Sequence, residues 1–391
     1  MLRGTVAFLV LVAFALLGTE LRTALARRGL RAPAMEGLSF LAVGFALGDR
    51  ALGLFPADVL VTLRVVVLLG LAWIGLVFGL QIELRVLRHL RPWHRRVGWL
   101  VPLLIGSSVA VCGFLLGLRP WLVLSLAAVA MAPAPGTLEA VVRGRVPADR
   151  SAFRLLKLVG AFAGLPAVAV FGVASVWASP VSEVAYGLSQ WQLLLYLVGI
   201  GIVVGYLSLV LVRGVREPVE IVTLLIGTMV GLAGATALLG VSALPAATCS
   251  GAILINRAEF PHRILRVAHS LERPLVIALL VLVGAAWSGV AFSWQIFAII
   301  VVGRVLGALI GGRVLAARAG RHGVPVKLPG LGLGLLPQGE LALGLLVALV
   351  GFSMGSEGVL EAVVAAMVIH QLVGRWWMGR HLVRPRGGTA G

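Results

Sequence analysis

LPGLGLGLLPQGELALGLLVALVGF, residues Leu328–Phe352, is an apolar run of membrane-crossing length interrupted in its middle by Leu336-Pro337-Gln338-Gly339. A hydrocarbon core of about 30 Å takes roughly 20 apolar residues at about 1.5 Å of rise each. A proline and a glycine at mid-depth release backbone groups that lipid cannot satisfy, so such a break persists only against protein or a watery cavity. A second run, Trp121–Val142, is interrupted in the same way by Ala132-Pro133-Ala134-Pro135-Gly136. Two broken helices inside a membrane are therefore expected.

The rest of the chain is of the same kind. It has 391 residues, 60% of them hydrophobic and 12% charged, where an ordinary soluble domain carries roughly a quarter charged. About thirteen spans are expected: Gly4–Gly18, Met35–Gly48, Val59–Leu80, Val97–Leu116, Trp121–Val142, Ala152–Trp177, Gln190–Val212, Val219–Leu239, Ala243–Ile255, Ser270–Trp287, Trp294–Ala317, Leu328–Phe352 and Gly358–Met378. Barrel-type alternation is absent, so the spans are read as helices of an all-α integral membrane protein. Met1–Gly18 resembles a signal peptide, but no small-residue cleavage site follows and the next loop is basic, so it is read as the first helix.

The formal charge of +18 is explained by its placement. Among 33 Lys and Arg, only Arg3, Arg50 and Arg119 lie at the N-terminus or in the even-numbered loops, and only Arg64, Lys157 and Arg304 lie five or more residues inside spans. All others fall in the odd-numbered loops and the C-terminal tail or at the span edges that adjoin them. The positive-inside rule then puts the N-terminus outside and the C-terminus in the cytoplasm of a cell inner membrane. A nucleic-acid partner is disfavoured. Cys112 and Cys249 lie in apolar spans, which disfavours a disulfide or a metal site. No His-rich metal spacing, nucleophile elbow or P-loop is present, so no enzyme activity and no cofactor are expected. Gly330-Leu331-Gly332-Leu333-Gly334 follows no strand and reads as helix-packing glycines.

Thirteen spans parse as six (1–177), a connector (190–212) and six (219–378), which would invert the second half relative to the first. Both breaks fall in the fifth span of their half. Inverted repeats with broken helices at mid-membrane are a transporter plan. Two carboxylates stand just after the breaks, Glu139 and Glu340, and a helix N-terminus stabilises an anion there. Arg304 lies deep in its span, where an unpartnered cation is costly, so an ion pair with Glu340 is expected. Lys157 and Glu139 sit at similar depth and are expected to form a second pair, although Lys157 could instead snorkel to the cytoplasmic interface.

These residues resemble the transmembrane domain of the cation:proton antiporter superfamily over almost the whole chain. LGLAWIGLVFGLQIELRVLRHL (Leu69–Leu90) looks like that family's apolar helix ending in a G-L-E and basic run, and PQGELALGLL (Pro337–Leu346) looks like its second broken helix. Arg304 stands where many members carry a Lys or Arg, and APAPGTLEAVV (Ala132–Val142) stands at the family's first break. The resemblance implies a monovalent cation and a proton as partners, a lipid environment and a homodimer. One position departs from it. Aligning the family's proline with Pro166 puts Ala161, within VGAFAGLPA, where members carry the ion-binding aspartate. Glu139, Lys157, Arg304 and Glu340 are then the candidates for an atypical site, beside the broken-helix residues Pro133, Pro135, Gly136, Pro337 and Gly339. A same-fold carrier or channel for an anion or another solute, and a non-transporting subunit or sensor, are the alternatives. After Met378 only a short basic tail follows, so no soluble regulatory domain is expected.

Overall fold

Prolines mark where helices begin. Pro92, Pro120, Pro218 and Pro261 each open a helix, at the position where the missing N–H has no intrahelical partner to lose. The computed structural model describes residues 5, 7–13, 36–49, 51–142, 147–179, 187–214, 217–287, 292–324, 326, 328–352 and 358–383. The described residues form helices and no strand: α1 (Glu36–Leu47), α2 (Ala57–Thr62), α3 (Arg64–Leu80), α4 (Leu84–His89), α5 (Pro92–Leu115), α6 (Pro120–Met131), α7 (Pro135–Val142), α8 (Arg150–Ala178), α9 (Gln190–Leu211), α10 (Pro218–Leu238), α11 (Ala243–Arg257), α12 (Pro261–Ala285), α13 (Trp294–Arg321), a 3₁₀ turn (Leu331–Leu335), α14 (Glu340–Phe352) and α15 (Val359–Trp377), which ends in a π turn (Met378–Leu382). Among the described residues eight helices are long and apolar enough to cross a membrane, with Arg64–Leu80 and Glu340–Gly351 as shorter apolar helices. The chain is an all-α membrane protein.

Several boundaries differ from the sequence reading, among them the start of α5 at Pro92 rather than Val97. Leu63 separates α2 from α3, so the expected span Val59–Leu80 is two helices. α12 begins at Pro261 and α13 runs to Arg321. Much of two basic loops is thus helix that outlasts its apolar stretch, since Arg and Lys favour helix once hydropathy no longer decides. Residues 4, 6 and 14–18 of the first expected span, the basic loop Arg22–Arg31 and the tail after Val383 lie outside the described residues.

The chain divides into two compact units, each assembled from several stretches. The first comprises Met1–Val86, Ser175–Ala291 and Val347–Leu360. Its α3 and α11 cross with backbones touching: a Cβ on Gly75, Gly79 or Gly251 would run into the carbonyl oxygen of Leu244, Thr248 or Leu76 respectively. Small residues allow that approach, and close packing is what holds helices together where lipid removes the hydrophobic drive. Around the crossing lies a core that includes Trp73, Leu76, Leu193, Leu197, Ile221 and Leu225.

The second unit comprises Leu87–Ala174, Phe292–Leu346 and Glu361–Gly391. α13 presents Gly303, Gly307 and Gly311 along one face to Val109, Ile105 and Val101 of α5. The expected packing role of the Gly-x-Gly run appears here: a Cβ on Gly332 would collide with the carbonyl of Ala308, and Gly330 opens the 3₁₀ turn at φ 64°, a conformation other residues rarely adopt.

Candidate ion site at the crossing of the broken helices

Both breaks lie in the second unit. α6 stops at Met131, and Ala132 is extended (φ −90°, ψ 95°), because a residue preceding proline is pushed out of the helical region. The helix resumes at Pro135. The first break is therefore Ala132–Ala134, and Pro135 and Gly136 belong to the first turn of α7 rather than to the gap. The second break, 336–339, separates the 3₁₀ turn from α14.

The two breaks satisfy each other's backbone. Ala134 N–H donates to the carbonyl of Pro337 at 2.8 Å, and Gln338 Nε2 donates to the carbonyl of Val129 in the last turn of α6, also at 2.8 Å, where Ala132 N–H makes only a long 3.4 Å contact. A Cβ on Gly339 would stand 3.1 Å from that of Ala134, so glycine lets the segments approach. Groups that lipid could not satisfy are paired at the crossing.

Arg304 is completely buried on α13. Its Nη2 donates to the carbonyls of Leu335 (3.0 Å) and Leu336 (3.2 Å). No carboxylate reaches it among the described residues, so the expected Arg304–Glu340 ion pair does not form. The break supplies the reason: the last turn before Pro337 has carbonyls without helical partners, which accept the guanidinium, whereas Glu340 lies beyond the gap as the exposed first residue of α14.

Glu139 and Lys157 do meet. Lys157 Nζ lies 2.7 Å from Glu139 Oε1, and the side chains are 55% and 52% exposed. Glu139 is the fifth residue of α7, one turn later than the N-terminal anion position that counting from Gly136 assigned to it; no acidic residue occupies that helix's first turn. It is therefore held by the lysine more than by the helix end. Ala161 is exposed one turn after Lys157 on α8, and Pro135 packs beside Gly160, where a Cβ would sit 3.4 Å from the proline's Cβ. Pro135, Gly136, Glu139, Lys157 and Ala161 are thus all exposed beside the first break, with the charge supplied by Glu139 and Lys157.

Two further residues belong to the crossing. His370 on α15 is 1% exposed, and its Nδ1 lies 3.4 Å from Gln338 Oε1. With the amide nitrogen of Gln338 committed to Val129, the oxygen faces the ring, so Nδ1 carries the hydrogen. An ionisable residue inside a membrane span was the signal for His370; Gln338 carried no charge and stood inside the quoted break. Replacing Gln338 with Leu should cost roughly 1–3 kcal/mol of stability in thermal unfolding, because the Val129 carbonyl keeps only the long 3.4 Å contact from Ala132 N–H and His370 Nδ1 loses its Gln338 acceptor in a dry site.

The fold has a counterpart among solved proteins. The structure of the sodium proton antiporter MjNhaP1 from Methanocaldococcus jannaschii at pH 8 matches with a TM-score of 0.66 at 16% sequence identity, over 96% of this chain and 98% of that one. The fold is that of a sodium proton antiporter. An electron-microscopy structure of the same protein matches at 0.56 and 15% identity, over 92% and 94% of the two chains. No protein-family model and no curated protein matches the sequence. The antiporter fold expected from the motifs is the fold found, and at this identity the likeness is one of architecture.

Proposed function

We propose that the chain is a secondary transporter that exchanges a monovalent cation for protons across a cell inner membrane, with an ion site built on Glu139 and Lys157 in place of an aspartate at position 161. The observation that carries this is the Glu139–Lys157 pair, 2.7 Å apart and half open beside the first break, on an antiporter fold. A carboxylate that can hold a proton, pair with a lysine or accept a cation couples those species by competition. Arg304 is fully enclosed, with Nη2 on two backbone carbonyls and Nε and Nη1 without a hydrogen-bond partner, which supports a role in holding the breaks and favours the open pair for the transported ion. Inverted halves, a homodimer, an external N-terminus and a cytoplasmic C-terminus complete the proposal.

The test is flux in proteoliposomes of purified protein with a pH-sensitive dye, using a panel of monovalent cations and then of anions. Proton movement that depends on a cation gradient is the expected result. Flux that depends on anions alone would make the chain an anion carrier, and folded protein without any flux would make it a non-transporting subunit.

A further inference from the structure

In the first unit four helix ends come to one level: the last turn of α9, the first turn of α10, the last residue of α11 and the first turn of α12. Between them is a cavity of about 300 Å³. Leu209, Ile221 and Ile264 are buried beneath it, and Arg213, Arg257 and Glu259 line it with exposed side chains. None of these three charged groups has an ion-pair partner among the described residues. Charges at the ends of apolar spans stand at headgroup depth. From the same place an exposed apolar stripe, Val203, Tyr206, Leu207 and Val210, runs back along α9 at the spacing that puts residues on one helix face.

We propose that this cavity holds the headgroup of a phospholipid carrying both a phosphate and a primary ammonium, of the phosphatidylethanolamine type. The two guanidiniums take the phosphate in charge-assisted hydrogen bonds, the Glu259 carboxylate takes the ammonium, and an acyl chain lies on the α9 stripe. The apolar floor and stripe select a lipid over a free anion. Glu259 disfavours a headgroup with a net negative charge, and a quaternary ammonium has no N–H to give it.

Native mass spectrometry of the full-length protein, taken as the monodisperse fraction and titrated with phosphatidylethanolamine, phosphatidylglycerol, phosphatidylcholine or inorganic phosphate, reads this site. The ethanolamine lipid should bind most tightly. Arg213→Gln with Arg257→Gln should weaken it by about tenfold or more, the loss of two charge-assisted bonds, whereas Arg213→Lys with Arg257→Lys should keep most of the affinity. Glu259→Gln should erase the preference for the ethanolamine lipid over the glycerol lipid. The proposal is overturned if the glutamine pair binds as wild type does, if the lysine pair loses as much as the glutamine pair, if wild type prefers the glycerol or choline lipid, or if inorganic phosphate displaces the lipid at equal concentration.

Discussion

Arg304→Met should lower stability by roughly 2–4 kcal/mol, because the carbonyls of Leu335 and Leu336 are buried and lose a charged donor. Hydrogen bonds to charged groups contribute about 1.5–3 kcal/mol each, and an orphaned buried acceptor costs about 1–3 kcal/mol. Relief from burying a cation works in the other direction. It reduces the loss here, since Nε and Nη1 are buried without a hydrogen-bond partner, but does not cancel it, since in the membrane those carbonyls have no water to turn to once the guanidinium is gone. Arg304→Lys should fall between, because one ammonium replaces a planar fork. A double-mutant cycle with Glu340→Gln separates this account from an ion pair: with carbonyls as the partners, the two losses in thermal unfolding should add to within about 0.5 kcal/mol. A coupling well above that would put Glu340 on Arg304.

The fold was legible because its punctuation is written in residue types with strong backbone rules. Pro92, Pro120, Pro218 and Pro261 open helices, and Pro133 and Pro337 sit in the two gaps. The candidate site was legible only in part. The pairing of Lys157 with Glu139 followed from depth along two uninterrupted helical stretches, α7 and α8. The pairing of Arg304 with Glu340 applied the same depth count across a gap, where the chain no longer advances by 1.5 Å per residue and the freed carbonyls become the better partners. Leu63 shows the same limit: nothing in VTLRVV marks a boundary, yet the helix is interrupted there. His370 was marked only by an ionisable side chain within a span, and the role of Gln338 was hidden because it is a hydrogen bond to a backbone carbonyl, which a sequence does not display.

Glu139→Gln should reduce pH-dependent flux to that of protein-free vesicles while leaving the protein folded. The two halves of that expectation have separate causes. The pair is more than half exposed, and an exposed ion pair contributes only about 0–1 kcal/mol, so its loss leaves the packing of α7 on α8 intact. Function is affected differently, because glutamine is neutral at every pH and ends the competition between proton, Lys157 and cation. Under the proposed exchange, a protonated Glu139 would leave the lysine charge uncompensated and repel an entering cation, and the ionised carboxylate would either pair with Lys157 or yield to the cation. Ala161→Asp tests the same face from α8. It places a second carboxylate one turn from Lys157, within side-chain reach, and should introduce or strengthen sodium- or potassium-dependent exchange in the same vesicles. If Glu139→Gln exchanges normally across the pH range, the pair is structural and the transported species is handled elsewhere.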